Sequence, residues 1–322
     1  MGRRGNAETL KMRTSDRPEY ERLDSGLNEY ARRYKKLPGI ANAQAREALL
    51  LQLLDSLRRV RYVSVICKRP IHDLRADPTS TLFDPLRAAI LHQRSGDLDE
   101  ACWLVFLFVH FGKHPRGGWR YAAEVYGRLG DGECWSWNAV QRDPRGFRTW
   151  LGNNESTLTR PGAGFGNHRK YQSMSAHSAL GTGAAVESYI AWIAPPRTHA
   201  QLFNDALATA RNDRRAAFGI LYNSMDAVAS FGRTARFDYL TMIGKMNIAD
   251  LSPPCAYLDK ATGPLSGARL LIGGSKRSDL SPGELERSLA DLDGVLHVGM
   301  QVLEDCLCNW QKTPDRYTPF RG

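Results

Sequence analysis

An acid and an amine, Asp238 and Lys245, stand seven residues apart in the stretch SMDAVASFGRTARFDYLTMIGKM (224–246), with Thr234 and Thr241 at the positions between and before them. Spacings of three and four residues stack side chains on one helical face. Thr234, Asp238, Thr241 and Lys245 therefore form one polar line, while Ala235, Phe237, Tyr239, Leu240, Met242, Ile243 and Met246 cover most of the remaining circumference. A helix this apolar is buried on most sides. Its polar seam carries a carboxylate able to stabilise developing positive charge or to position a water. A Schiff base at Lys245 is disfavoured, because two threonines do not make the dry pocket that would depress a lysine pKa.

The element that presents this seam is a helical hairpin. Met225, Val228, Ala229 and Phe231 close one apolar helical face, Gly232 interrupts it, and the second run begins at Thr234. Arg233 and Arg236 flank the turn, where a helix N-terminus offers N–H groups and a positive dipole end to a phosphate. A simpler account stays open: Asp238 can be the structural partner of a core arginine, with Arg233 and Arg236 the nearest in sequence. Glu187, on a helix expected from Thr182 to Ile193 and stopped by Pro195-Pro196, and Asp226 are the alternative carboxylates.

Three further stretches carry cations beside glycines. In HFGKHPRGGWRYAAEVYGRLG, His110, Lys113, Arg116 and Trp119 surround Gly112 and Gly117-Gly118, a mixture suited to taking phosphates on cations and a base on a ring. The Gly, Asn, Ser and Arg-rich segment 152–181 centres on GFGNHRKYQ, where His168, Arg169, Lys170 and Tyr171 can neutralise phosphate while the glycines admit close approach. In ATGPLSGARLLIGG the glycines suggest a tight loop around Arg269. Trp135, Trp137, Phe147 and Trp150 mark another helix, whose tryptophans are expected in the core.

The whole chain bounds what such a site can serve. With 44 Lys+Arg against 34 Asp+Glu, a formal charge of +10 over 322 residues favours a polyanionic partner, nucleic acid ahead of an anionic membrane surface. The longest apolar run, Ala101 to Phe111, is about half of what a spanning helix needs, and no secretory leader is legible at the start, so a cytoplasmic protein is expected. Six scattered cysteines and eight histidines lack ligand spacing; reduced, mostly buried thiols and no zinc or other cofactor are the expectation. Residues 1–38 are basic with little aliphatic periodicity and are expected to form an arm tracking phosphates. Ala45, Leu49, Leu50, Leu53, Leu54 and Leu57 mark a strong helix. Strand-like alternation is scarce, so the fold class is mainly α, with one compact helical domain over 39–322 and long Gly-rich loops.

FGRTARFDYLTMIGK, joined to HFGKH, FGNHRKYQS and ATGPLSGAR in that order, resembles the alpha-glutamyl/putrescinyl thymine pyrophosphorylase family, its third clade in particular, from about Tyr62 to Gly322. The resemblance implies enzymes that handle hypermodified pyrimidines in phage-type DNA, displacing pyrophosphate from a modified hydroxymethyluracil with an amine. Related bacterial members are similar to antiphage glycosylases that remove bulky hydroxymethylated, possibly glycosylated, pyrimidines. The hairpin around Gly232 is also similar to the helix-hairpin-helix glycosylase arrangement, although Ser230-Phe231-Gly232 departs from the usual Leu-Pro-Gly-Val-Gly turn. On this reading the partner is double-stranded phage DNA carrying modified bases, with no membrane and no obligatory protein partner. The expected activity is a monofunctional glycosylase, with an amine transferase and a non-catalytic reader of modified DNA as alternatives.

Overall fold

The structure is a computed structural model that describes residues 13–166, 169 and 172–319. It is mainly α: fourteen α-helices and several short 3-10 turns, with no strand among the described residues. By their internal contacts the described residues fall into two compact units, one made of residues 13–60 together with 255–319, the other of residues 61–254.

The first unit holds α1 (Arg17–Arg33), most of α2 (Ala43–Ile66), α12 (Gly263–Gly273), α13 (Pro282–Leu296) and α14 (Met300–Trp310). The aliphatic stripe expected on α2 is buried as a set, from Ala45 to Leu57, in a core shared with Leu271, Leu285, Leu289, Leu292, Leu303 and Leu307. Two expectations fail in this unit. The stretch assigned to a basic arm contains α1, whose Leu23, Leu27 and Tyr30 are fully buried and which packs on α13. The stretch assigned to a tight loop around Arg269 is α12, opened by Pro264 in its first turn. A Cβ on Gly267 would lie 2.3 Å from the Leu307 carbonyl oxygen, so the residue's small size serves helix-on-helix contact rather than a turn.

The second unit is organised around α4 (Leu98–Phe111). Asp97 caps it, its side chain accepting from the Glu100 N–H, and ten of its residues from Ala101 to Phe111 are buried. Around it pack α3 (Pro85–Ser95), α5 (Arg120–Tyr126), α6 (Trp137–Arg142), α9 (His199–Thr209) and α11 (Arg233–Lys245). Two further helices, α7 (Pro144–Leu158) and α8 (Thr182–Ile193), pack on each other, and α10 (Arg214–Ser224) packs on α9 and α11. The three tryptophans expected in the core, Trp135, Trp137 and Trp150, are buried, as is Phe147, but the one helix expected for them is two, α6 and α7, with Trp135 ahead of both.

The expected hairpin is present, but its first helix is shorter than anticipated: α10 ends at Ser224, Met225–Ala227 form a 3-10 turn, and Val228, Ala229 and Phe231, expected on a helical face, lie in the turn that leads to α11. Its glycine plays a different part from the one anticipated. Gly232 has φ −66° and open space where a Cβ would sit, whereas the left-handed residue of the turn is Ser230, at φ 63°.

Candidate active site

Four stretches that are remote in sequence meet at the C-terminal end of α4. The last carbonyls of a helix lack intrahelical partners, and here the Gly-rich segment supplies them: Gly166 N–H donates to the Phe111 carbonyl at 2.8 Å and Arg169 Nε to the Val109 carbonyl at 2.7 Å. Close backbone approach makes this possible. A Cβ on Gly166 would fall 2.9 Å from the Gly112 carbonyl carbon and the Lys113 nitrogen, and Gly112 itself turns the chain at φ +62°. The HFGK and GFGN motifs are therefore two halves of one junction.

Arg169 links that junction to α11. Its Nη2 donates to Asp238 Oδ2 at 2.7 Å, with the arginine side chain 9 % exposed and the aspartate 42 % exposed. The guanidinium sits where a helix C-terminus favours a cation, and its planar fork reaches a carboxylate at the rim. Asp238 thus has an arginine partner, but one that lies 69 residues upstream rather than at Arg233 or Arg236. Along the polar line of α11, Thr234 is exposed, whereas Thr241 is buried and donates its hydroxyl to the Asp238 carbonyl at 3.0 Å. The seam is thus not wet throughout: Thr241 is buried between Asp238 and Lys245, which are both half-buried. Lys245 ends α11 beside Cys67, whose thiol is pushed up by burial and pulled back by the Arg94 and Lys245 charges.

His110 is buried against Phe106 and Phe231, which stack on each other at 4.9 Å, with its ring nearly parallel to both at 5.6 and 6.3 Å. The Thr182 hydroxyl donates to the Ser173 carbonyl, so its oxygen accepts Nε2–H from His110 at 3.0 Å. Nδ1 is then a buried acceptor with no hydrogen-bond partner among the described residues. Burial, followed by the Arg169 charge, depresses the His110 pKa to about 3, and the imidazole is neutral. A histidine read from sequence as a phosphate contact is instead a packed wall of the junction.

The rotation of α11 is fixed from its inner side. Asp99 Oδ1 accepts from both the backbone N–H and Nδ1–H of His199, at 2.8 and 2.6 Å. His199 Nε2 then accepts from the Tyr189 hydroxyl at 2.7 Å, which pairs with the Tyr239 hydroxyl at 2.9 Å. With Tyr239 drawn into this buried chain, its neighbour Asp238 is turned about 100° away toward the rim. Burial pushes both tyrosine pKa values up and the His199 pKa down, so this chain is a neutral hydrogen-bonded anchor save for Asp99. These residues gave no signal in the sequence, since the contacts span up to 100 residues.

The remaining candidates are arranged differently. Glu187 is ion-paired with Arg148, whose Nε also donates to the Ala176 carbonyl at 2.7 Å. Asp226 is 82 % exposed and pairs with Arg236 at 3.1 Å, while the Arg236 guanidinium lies 4.7 Å from the Tyr222 ring centroid; together they brace the hairpin. Arg233 lies over the Phe237 ring at 5.3 Å. Lys113 and Arg116 are exposed on the turn after α4, and Trp119, half-buried, packs on Phe108. Arg269 is in the first unit, where its Nε donates to the Leu280 carbonyl. His168, Lys170 and Tyr171 lie outside the described residues. Among the described residues no group of three or more His, Cys, Asp or Glu side chains gathers as a metal site would need.

Comparison with known families matches residues 44–322 to alpha-glutamyl/putrescinyl thymine pyrophosphorylase clade 3. The chain belongs to this family. The match begins beyond α1, inside α2, and takes in every element of the α4–α11 junction. Comparison with curated proteins and with solved structures gave no match. The family description names an enzyme acting on a modified thymine, and no helix among the described residues of this family member is long and apolar enough to cross a membrane.

Proposed function

We propose that this protein is a DNA glycosylase that flips a bulky modified pyrimidine, hydroxymethylated and possibly glycosylated, out of phage DNA and releases the base, leaving an abasic site as an act of antiphage defence. The observation that carries this reading is the Arg169–Asp238 pair: a buried guanidinium holds, from behind, a carboxylate that remains accessible at the rim of a junction built from all three unit-two motifs. Base departure leaves positive charge on the sugar, and a fixed, accessible carboxylate stabilises that charge and positions water on it. A duplex hides the glycosidic bond, so the nucleotide must leave the stack first. Lys113 and Arg116, exposed beside the junction, supply phosphate contacts along the flanking backbone. Arg169 is spent on internal contacts and positions Asp238 rather than gripping phosphate.

A second reading, an amine transferase displacing pyrophosphate from a modified hydroxymethyluracil, is favoured by the family's description. Both readings require the same flipped base. Mass analysis of what leaves phage DNA containing hydroxymethylpyrimidines separates them. A free modified base supports the glycosylase; pyrophosphate with an amine-bearing base retained in the DNA supports the transferase; neither product leaves a modified-DNA reader.

A further inference from the structure

The segment between Gln172 and α8 is a built loop with an apolar tip. Ser175 Oγ accepts from the N–H groups of His177 and Ser178, both at 3.2 Å, and Ser178 Oγ accepts from the Leu180 N–H at 3.3 Å. The loop is also folded on itself without room to spare: a Cβ on Gly181 would fall 2.2 Å from the Ser175 carbonyl oxygen, and one on Gly183 2.3 Å from that of Ala176. Its outer end is tied to the hairpin, because the Ser230 hydroxyl donates to the Leu180 carbonyl and Gln172 Nε2 donates to the Ser230 carbonyl at 3.1 Å. Serines and glycines thus hold the backbone still while the Leu180 side chain projects. Leu180 is 67 % exposed, and the other exposed large hydrophobics among the described residues lie between 38 % and 48 %. Scattered exposed leucines are ordinary; a leucine held outward by a hydrogen-bonded loop is not explained by that.

The loop's position gives the tip a task. Leu180 is two residues before Thr182, which holds His110, and is bonded to Ser230, three residues before the start of α11, the helix that carries Asp238. We propose that Leu180 is the wedge that enters the base stack and takes the space vacated by the flipped nucleotide. Apolar side chains inserted between base steps unstack them, and a rigid mount is what such insertion needs, since a mobile one would yield instead of the stack. The inference rests on the base-flipping reading of the site but not on which bond is broken afterwards.

The test uses the full chain and a duplex carrying one 5-hydroxymethylpyrimidine with 2-aminopurine on its 3′ side, whose fluorescence rises when the probe unstacks. The unaltered protein raises it on binding. Leu180→Ala still binds the duplex but loses the rise, Leu180→Phe restores it, and base release by Leu180→Ala falls about tenfold on duplex while staying unchanged on the matching single strand, which has no stack to open. Equal fluorescence with Leu180→Ala, or an equal loss on duplex and single strand, overturns the wedge. Absence of any rise with the unaltered protein overturns it too. A rise that depends on Leu180 with no base released leaves the wedge standing and removes the glycosylase, so the two failures are distinguishable.

Discussion

Asp238 and Arg169 divide the labour of one ion pair unequally, and the division decides how variants behave. Asp238→Asn keeps an oxygen for the Arg169 guanidinium, and the aspartate is too exposed for the lost Coulomb attraction to cost much stability. Base release should nevertheless fall by roughly two orders of magnitude or more, as when one electrostatic stabiliser is removed, with duplex affinity and melting temperature held. An Asn variant that melts earlier yet keeps its activity per folded molecule would transfer the role to Glu187 or Asp226. His110 yields to a different measurement. Its folded pKa, about 3, lies below the ordinary value of 6.5, so between those limits the unfolded chain binds the extra proton and stability falls as pH falls through that window. In His110→Phe the slope of unfolding free energy against pH between 4 and 6 should be shallower by about one proton, measured by denaturant titration; an unchanged slope would mean the imidazole is protonated in the fold. Asp238 was legible from spacing alone, because helix periodicity isolates it on an apolar helix. Its partner was not, since Arg169 reaches it only through the glycine contact of two loops.

The helices were read best where burial is one-sided and worst where charge or glycine disguises it. The stripe of α2, the run of α4 and the boundaries of α8 follow from apolar periodicity and proline alone. In α1 the pairs Arg22–Glu19 and Arg33–Glu29 dominate the composition and hide a stripe of only three buried large side chains. The glycines of α12 look like loop residues until Leu307 and Cys308 are seen against Gly267 and Gly263. One element carries a titration of its own. Glu100, in the first turn of α4, accepts from the Trp137 N–H at 2.7 Å, and burial lifts its pKa from 4.5 to about 7 against the pull of that bond and of the nearby Tyr126. The helix dipole would favour the charged form there, but desolvation outweighs it. A raised folded pKa means a contribution present in full below 4.5 and lost as pH rises through 7. Glu100→Gln, which keeps the acceptor for Trp137, should therefore gain stability over the parent chain at pH 8 and little at pH 4; equal melting shifts at both would place the carboxyl in a wetter site.

At the scale of the molecule the charge of +10 must be placed on particular side chains before it explains binding. Two sets of cations in the second unit differ in this respect. Arg169, Arg236, Arg148 and Arg120 are engaged with carbonyls, carboxylates or rings inside the second unit, whereas Lys113 and Arg116 stand exposed beside the α4–α11 junction. A cation already paired to a protein carboxylate releases no condensed counterion when DNA arrives, so of these two sets the second should contribute to the salt dependence of affinity. Binding of a duplex measured across a range of salt should give a steep linear fall of log affinity with log salt, and Lys113→Ala with Arg116→Ala should each reduce that slope by about one, uniformly across sequences. Arg169→Ala should act differently. It frees the Val109 carbonyl and uncouples the Gly-rich loop from Asp238, so base release and thermal stability should fall while the salt slope stays that of the parent. Fluorescence anisotropy of a labelled duplex, run beside thermal melting for all three variants, separates the two groups. If Arg169→Ala flattens the salt slope as the surface variants do, the buried guanidinium is a phosphate ligand after all and the Asp238 pair opens when DNA binds.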